Sequence, residues 1–142
     1  MDELKGIHVF VVEDDPTNMA VNAVTLKRSG AKVTQDMWNV GAVDKLLERM
    51  PVDVILLDLM LRHNMNGYDI FNEIKAHPDL QAIPVIAVSA ADPAIEIPKA
   101  KELGFAGFIG KPIRPHLFAG QIAACIAGKP VWYARNGVLE DL

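Results

Sequence analysis

The chain holds one cysteine, Cys125, in 142 residues. That excludes an intrachain disulfide and a four-cysteine zinc site, and a reducing cytoplasm is the expected setting. Long hydrophobic runs are also missing. The charged start Met1-Asp2-Glu3-Leu4-Lys5 leads into an apolar stretch of about six residues, too short for a signal-peptide core or a membrane span. Charge excess is small, with a formal net charge of −4 and a pI near 5.5. Nothing here would attract nucleic acid broadly, so no direct nucleic-acid partner and no membrane insertion are expected. Internal repeats and low-complexity tracts are absent. The turn after the first apolar run, Glu13 to Asn18, is acidic and has no glycine. A flavin-type cofactor's phosphate needs close backbone approach and positive potential, so a cofactor-binding module is set aside.

What the chain does have is apolar content, 51% of residues, enough for one packed domain. Val9 to Val12, Val54 to Leu57 and Val85 to Val88 are continuous runs rich in β-branched residues. They read as strands buried on both faces, as in a parallel sheet. Lys32-Val33-Thr34-Gln35 alternates and reads as an edge strand. Gly107-Phe108-Ile109-Gly110 is a weaker fifth strand, placed by its position in the order.

Helical patterns separate these runs. Ala20, Val21 and Val24 share one face before Gly30. Val40, Val43, Leu46 and Leu47 stop at Pro51, and Ile70, Phe71 and Ile74 stop at His77-Pro78. The last pattern is Leu117, Phe118, Ile122, Cys125 and Ile126, ending near Gly128. The fourth helix leaves two readings open. Asp92-Pro93 fits an N-cap and first turn, yet Pro98 lies inside the same stretch, so the helix either begins late or is kinked. Five strands alternating with five helices imply an α/β fold with a parallel sheet covered on both faces. The tail from Gly128 to Leu142 carries Trp132 and Tyr133 and is too short for an output domain. It reads either as a packed extension or as a cover for an apolar patch or dimer contact.

Ligands of open parallel sheets sit beyond the carboxyl ends of the strands. Glu13, Asp14 and Asp15 follow strand 1, Asp58 follows strand 3, Ser89 follows strand 4 and Lys111 follows strand 5. Singly, each has an ordinary reading as a cap, a loop residue or a solvated lysine. Together they gather carboxylates, a hydroxyl and an ammonium on one rim. Clustered carboxylates repel unless a cation neutralises them, and hard oxygen ligands of this kind suit Mg²⁺. A phosphoryl group on one carboxylate would find charge neutralisation for its oxygens.

The pieces Val11-Val12-Glu13-Asp14-Asp15, Val54-Ile55-Leu56-Leu57-Asp58, Val88-Ser89-Ala90 and Gly107-Phe108-Ile109-Gly110-Lys111-Pro112, with their spacings, strongly resemble the response-regulator receiver family over roughly residues 6–127. The resemblance implies a flavodoxin-like five-stranded sheet of order 2-1-3-4-5 with five helices on both faces. It leaves residues 128–142 as a short extension with no output domain. It also implies a phosphorylation-dependent switch rather than an enzyme. A histidine kinase or phosphotransfer protein would be the phosphoryl donor, a downstream protein the target, and Mg²⁺ (or Mn²⁺) the cofactor; homodimerisation is left open. By position Asp58 is the phosphoacceptor. Asp14 and the Met60 carbonyl are metal ligands, and Glu13 acts on the metal through water. Asp15 is a cap or loop residue, Ser89 the switch hydroxyl, Lys111 the phosphate-binding cation and Phe108 the rotating aromatic. The Lys111-Pro112 bond is expected to be cis.

Three features depart from the family pattern. Arg62 stands where most relatives have proline, and the loop reaches Gly67 one residue late. Pro98 lies in the fourth helix, and Phe108 replaces a frequent tyrosine. Two alternatives remain beside the switch: a receiver-like adaptor that is not phosphorylated, and an aspartate-nucleophile phosphatase. The latter needs an acid two residues after the nucleophile, where Met60 stands and cannot transfer a proton.

Overall fold

The computed structural model describes residues 2–37, 41–61, 66–134 and, for backbone alone, 137–138. Val40 and Arg62, which figure in the sequence reading, lie outside the described residues. Strands β1 (His8–Val12), β2 (Lys32–Asp36), β3 (Val54–Leu57), β4 (Val85–Ser89) and β5 (Gly107–Gly110) alternate with helices α1 (Pro16–Arg28), α2 (Ala42–Glu48), α3 (Gly67–Ala76), α4 (Pro93–Leu103) and α5 (Pro115–Ile126). All pairings among the first five strands are parallel, in the expected order 2-1-3-4-5. The sheet then continues. β6 (Val131–Ala134) lies parallel to β5, and the two-residue β7 (Gly137–Val138) turns back antiparallel to β6. Trp132 and Tyr133 therefore belong to a strand, and the described part of the tail extends the sheet.

Alternation along the strands builds two cores, because successive side chains point to opposite faces. Phe10, Val12, Ile55, Leu57, Val85, Ala87 and Phe108 meet helices α2, α3 and α4 on one side. Val9, Val11, Val54, Leu56, Ile86, Val88 and Ile109 meet α1 and α5 on the other.

Two helix expectations are corrected. On α1, Ala20 is exposed, and Val21 and Val24 are 43% and 50% exposed. The buried stripe is Met19, Asn22, Ala23 and Leu26. Met19 and Leu26 carry more apolar surface than alanine and valine, and the polar Asn22 between them disguises the stripe. In α4 the late start is wrong: Asp92 caps the helix through a bond from the Ala94 N–H, and Gly104 (φ 97°) ends it. Pro98 lies inside, where it forgoes one backbone bond, while Ile97 and Ala100 anchor the helix in the core.

Candidate functional site

The carboxyl ends of β1, β3 and β5 bring their side chains to one cavity of about 400 Å³, lined by Glu13, Asp14, Asp15, Asn18, Asp58, Met60, Leu61, Ala90 and Lys111. Asp15 also caps α1, accepting from the N–H groups of Thr17 and Asn18 at 2.8 and 3.2 Å. That is the cap role read from sequence.

The Lys111 ammonium joins the strand ends. It donates to Asp58 Oδ2 at 2.8 Å and also to Glu13 Oε1. Asp58 Oδ1 accepts the Met60 N–H at 3.1 Å. All three groups are largely removed from water, with side-chain exposures of 11% for Lys111, 3% for Glu13 and 8% for Asp58. Burial pushes the Glu13 carboxyl up to about 7 against the pull of Lys111, and the Asp58 charge adds to the rise. Burial alone would lower the Lys111 ammonium; its bonds to Asp58 and then Glu13 outweigh that and raise it. One ammonium thus sits between two carboxylates in a poorly solvated place, with a third carboxylate, Asp14, in the same cavity. Another cation would find carboxylate oxygens there.

Ser89 is the last residue of β4 and fully buried. Its hydroxyl oxygen accepts the Ala91 N–H at 3.1 Å, and its carbonyl accepts the Lys111 N–H at 2.9 Å. It reaches the same end of the sheet but does not line the cavity. Phe108 is also fully buried, in the core beneath α4. The Lys111–Pro112 peptide is cis, as is Met50–Pro51, which the sequence reading did not single out.

Gly67 was read only as the end of a loop. Its N–H bonds the Leu59 carbonyl at 3.1 Å, and a Cβ there would stand 2.2 Å from the Asp58 carbonyl oxygen. Only glycine lets α3 start against the backbone of the aspartate. The available signal was a glycine directly after Asn66, which caps α3 through the Tyr68 N–H. Asn18, Leu61 and Ala90 were also missed as lining residues; Asn18 lies just inside the helix that Asp15 caps.

The donor set suits Mg²⁺ chemically: carboxylate oxygens from two strand ends face one cavity. Among the described residues no three His, Cys, Asp or Glu side chains form a ready cage. Mg²⁺ does not need one, since it keeps several waters and takes one or two carboxylates besides phosphate oxygens.

Residues 9–123 match the model of the response regulator receiver domain. The chain belongs to that family. It is 32% identical over 108 residues to the two-component response regulator ORR7 of Oryza sativa subsp. japonica, covering 76% of this chain and 51% of that protein. It is 30% identical over 135 residues to the sensory transduction protein RegX3 of Mycobacterium tuberculosis, covering 94% of this chain and 57% of that one. The chain thus spans about half the length of these relatives. A response regulator from Desulfuromonas acetoxidans has the same fold, with a TM-score of 0.75 and 23% identity over 85% of this chain and 97% of its own. Receiver domains are signalling modules of two-component systems and generally bind Mg²⁺ at their phosphorylation site. No helix among the described residues is long and apolar enough to cross a membrane.

Proposed function

We propose that this receiver domain is a phosphorylation switch in which Asp58 takes a phosphoryl group from a histidine kinase or phosphotransfer protein with the help of Mg²⁺. The observation that carries the reading is the Lys111 ammonium 2.8 Å from Asp58 Oδ2, in the cavity that Glu13 and Asp14 also line. An Asp58 carboxylate oxygen forms the new bond to phosphorus as the donor's bond to phosphorus breaks, and the electron pair leaves with the donor. Lys111 neutralises a phosphoryl oxygen, and the Met60 N–H holds the carboxylate in orientation. Asp14, Asp58 and the Met60 carbonyl would hold the metal directly, with Glu13 acting through water. When bound there, Mg²⁺ would supply positive charge to offset that of the phosphoryl oxygens. Ser89 supplies the switch hydroxyl. Residues 6–127 carry this chemistry, residues 128–142 form an extension of it, and a downstream protein reads the result.

The test is incubation with acetyl phosphate and Mg²⁺, followed by intact mass and peptide mapping. One phosphoryl group on Asp58 is expected, with none in Asp58→Asn and none after chelation of the metal. Uptake by Asp58→Asn to the wild-type extent refutes the assignment. A wild type that takes up no phosphate and shows no Mg²⁺ binding by calorimetry makes the domain a non-phosphorylated adaptor.

A further inference from the structure

The family resemblance gives Phe108 the role of an aromatic that turns between two positions, yet the edge where it would turn outward is filled. We propose that strand β6 is an intramolecular latch that holds Phe108 in its buried position, with the Trp132 ring occupying the space an outward ring would need. In the β5–β6 register Phe108 stands opposite Trp132. Partners in register on neighbouring strands point to the same face and lie about 4.8 Å apart. Trp132 accordingly packs against the core cluster that contains Phe108. Above it, the Lys101 ammonium of α4 sits 5.2 Å from the centre of the Trp132 ring, a cation–π contact that ties helix to strand.

The next residue fastens the strand from the other face. Tyr133 is buried with Ile109, Phe118 and Cys125. Gly107 shows how tightly β6 lies on β5: a Cβ there would stand 2.7 Å from Cys125 Sγ and 2.8 Å from the Val131 carbonyl oxygen. The connection from α5 is short and bonded, with the Gly128 N–H on the Cys125 carbonyl at 3.1 Å and the Lys129 N–H on the Ala124 carbonyl at 2.9 Å. The latch therefore grips β5, α4 and α5 together. Change at this edge proceeds by loosening β6 and α4 and not by free rotation of one ring. The latch stands whether or not Asp58 is phosphorylated.

Fluorine NMR of the full chain with 4-fluorophenylalanine tests it. The five phenylalanines give five signals, and Phe108 is the one lost in Phe108→Leu. In wild type the Phe108 signal is expected to be single and insensitive to solvent isotope. In Trp132→Ala a second, solvent-sensitive signal of about a tenth or more of the intensity is expected, and Trp132→Phe is expected to restore the single one. An unchanged Phe108 signal in a folded Trp132→Ala, or two signals already in wild type, overturns the latch. Should Trp132→Ala not fold, Lys101→Ala decides, since it removes only the cation from the ring. Amide exchange at Trp132 and Tyr133 is then expected to rise severalfold, and unchanged exchange overturns the proposal.

Discussion

The rim around Asp58 and the edge formed by β5 and β6 lie in one sheet and are built on opposite terms. At the rim two carboxylates and an ammonium are held together with little water, an arrangement that costs stability and supplies chemistry. At the edge Phe108, Ile109 and Tyr133 are buried without charge, an arrangement that supplies stability and no chemistry. The contrast teaches that loss of phosphoryl chemistry and loss of fold should separate between the two places.

The largest effect expected is at the edge. Phe108→Ala removes a fully buried ring and should cost about 3–5 kcal/mol, as large-to-small core changes do. Urea denaturation measures it; a loss under about 1 kcal/mol would mean that the neighbouring side chains collapse into the space. Gly67→Ala comes next and breaks the contrast from the rim side, because it fails by steric overlap with the Asp58 backbone and not by charge. A loss of about 2–3 kcal/mol is expected from forced backbone movement, together with slower phosphoryl uptake. Wild-type stability and uptake in that variant would show that α3 shifts freely.

The third prediction concerns charge alone. Glu13 sits at about 7 in the folded chain against an ordinary 4.5, so the folded state holds its proton more tightly than the unfolded one. The stabilisation is complete below about 4.5 and is lost as pH rises through about 7. In metal-free buffer the urea midpoint should fall between pH 5 and pH 8, and Glu13→Gln should flatten that part of the profile. A Glu13→Gln profile parallel to wild type would place the slope elsewhere. The smallest effect on the fold is expected at Met60, a residue 65% exposed beside Asp58. With Met60 and Ala91, neither able to orient an attacking water, phosphate release should be slow. Met60→Asn or Ala91→Glu should speed it severalfold with no change in urea midpoint. Fast release from wild type, or no acceleration in either variant, ends that idea.

Much of this could be read from residues alone, for local reasons. Val54-Ile55-Leu56-Leu57 is a strand because a fully apolar β-branched run has no other economical place, and Asp58 follows because ligands gather at strand ends. Lys111 and Glu13 meet Asp58 by the same rule. Other features were illegible because they are set by distant partners. Nothing local says that Asn22 is tolerated beneath α1, so the sequence alone points to the valine face as the buried one. Val131-Trp132-Tyr133-Ala134 is too short to declare itself a strand; it becomes one by pairing with β5, which is buried at all four residues with β6 in place. At the other edge β2 keeps side chains that are mostly half-buried or exposed. Gly67 is likewise explained only by the backbone of Asp58, which approaches it across the loop.

That approach makes α3 a lever resting on Asp58, the proposed site of phosphorylation. Atoms packed without a gap cannot absorb a displacement; they pass it on. Any movement of the Asp58 main chain toward Gly67 must push the start of α3. There Tyr68 donates from its hydroxyl to Glu96 of α4 at 3.3 Å, beneath the Lys99 ammonium. The Asp58 backbone is thus mechanically geared to a second helix and, through it, to the face where Lys101 meets Trp132.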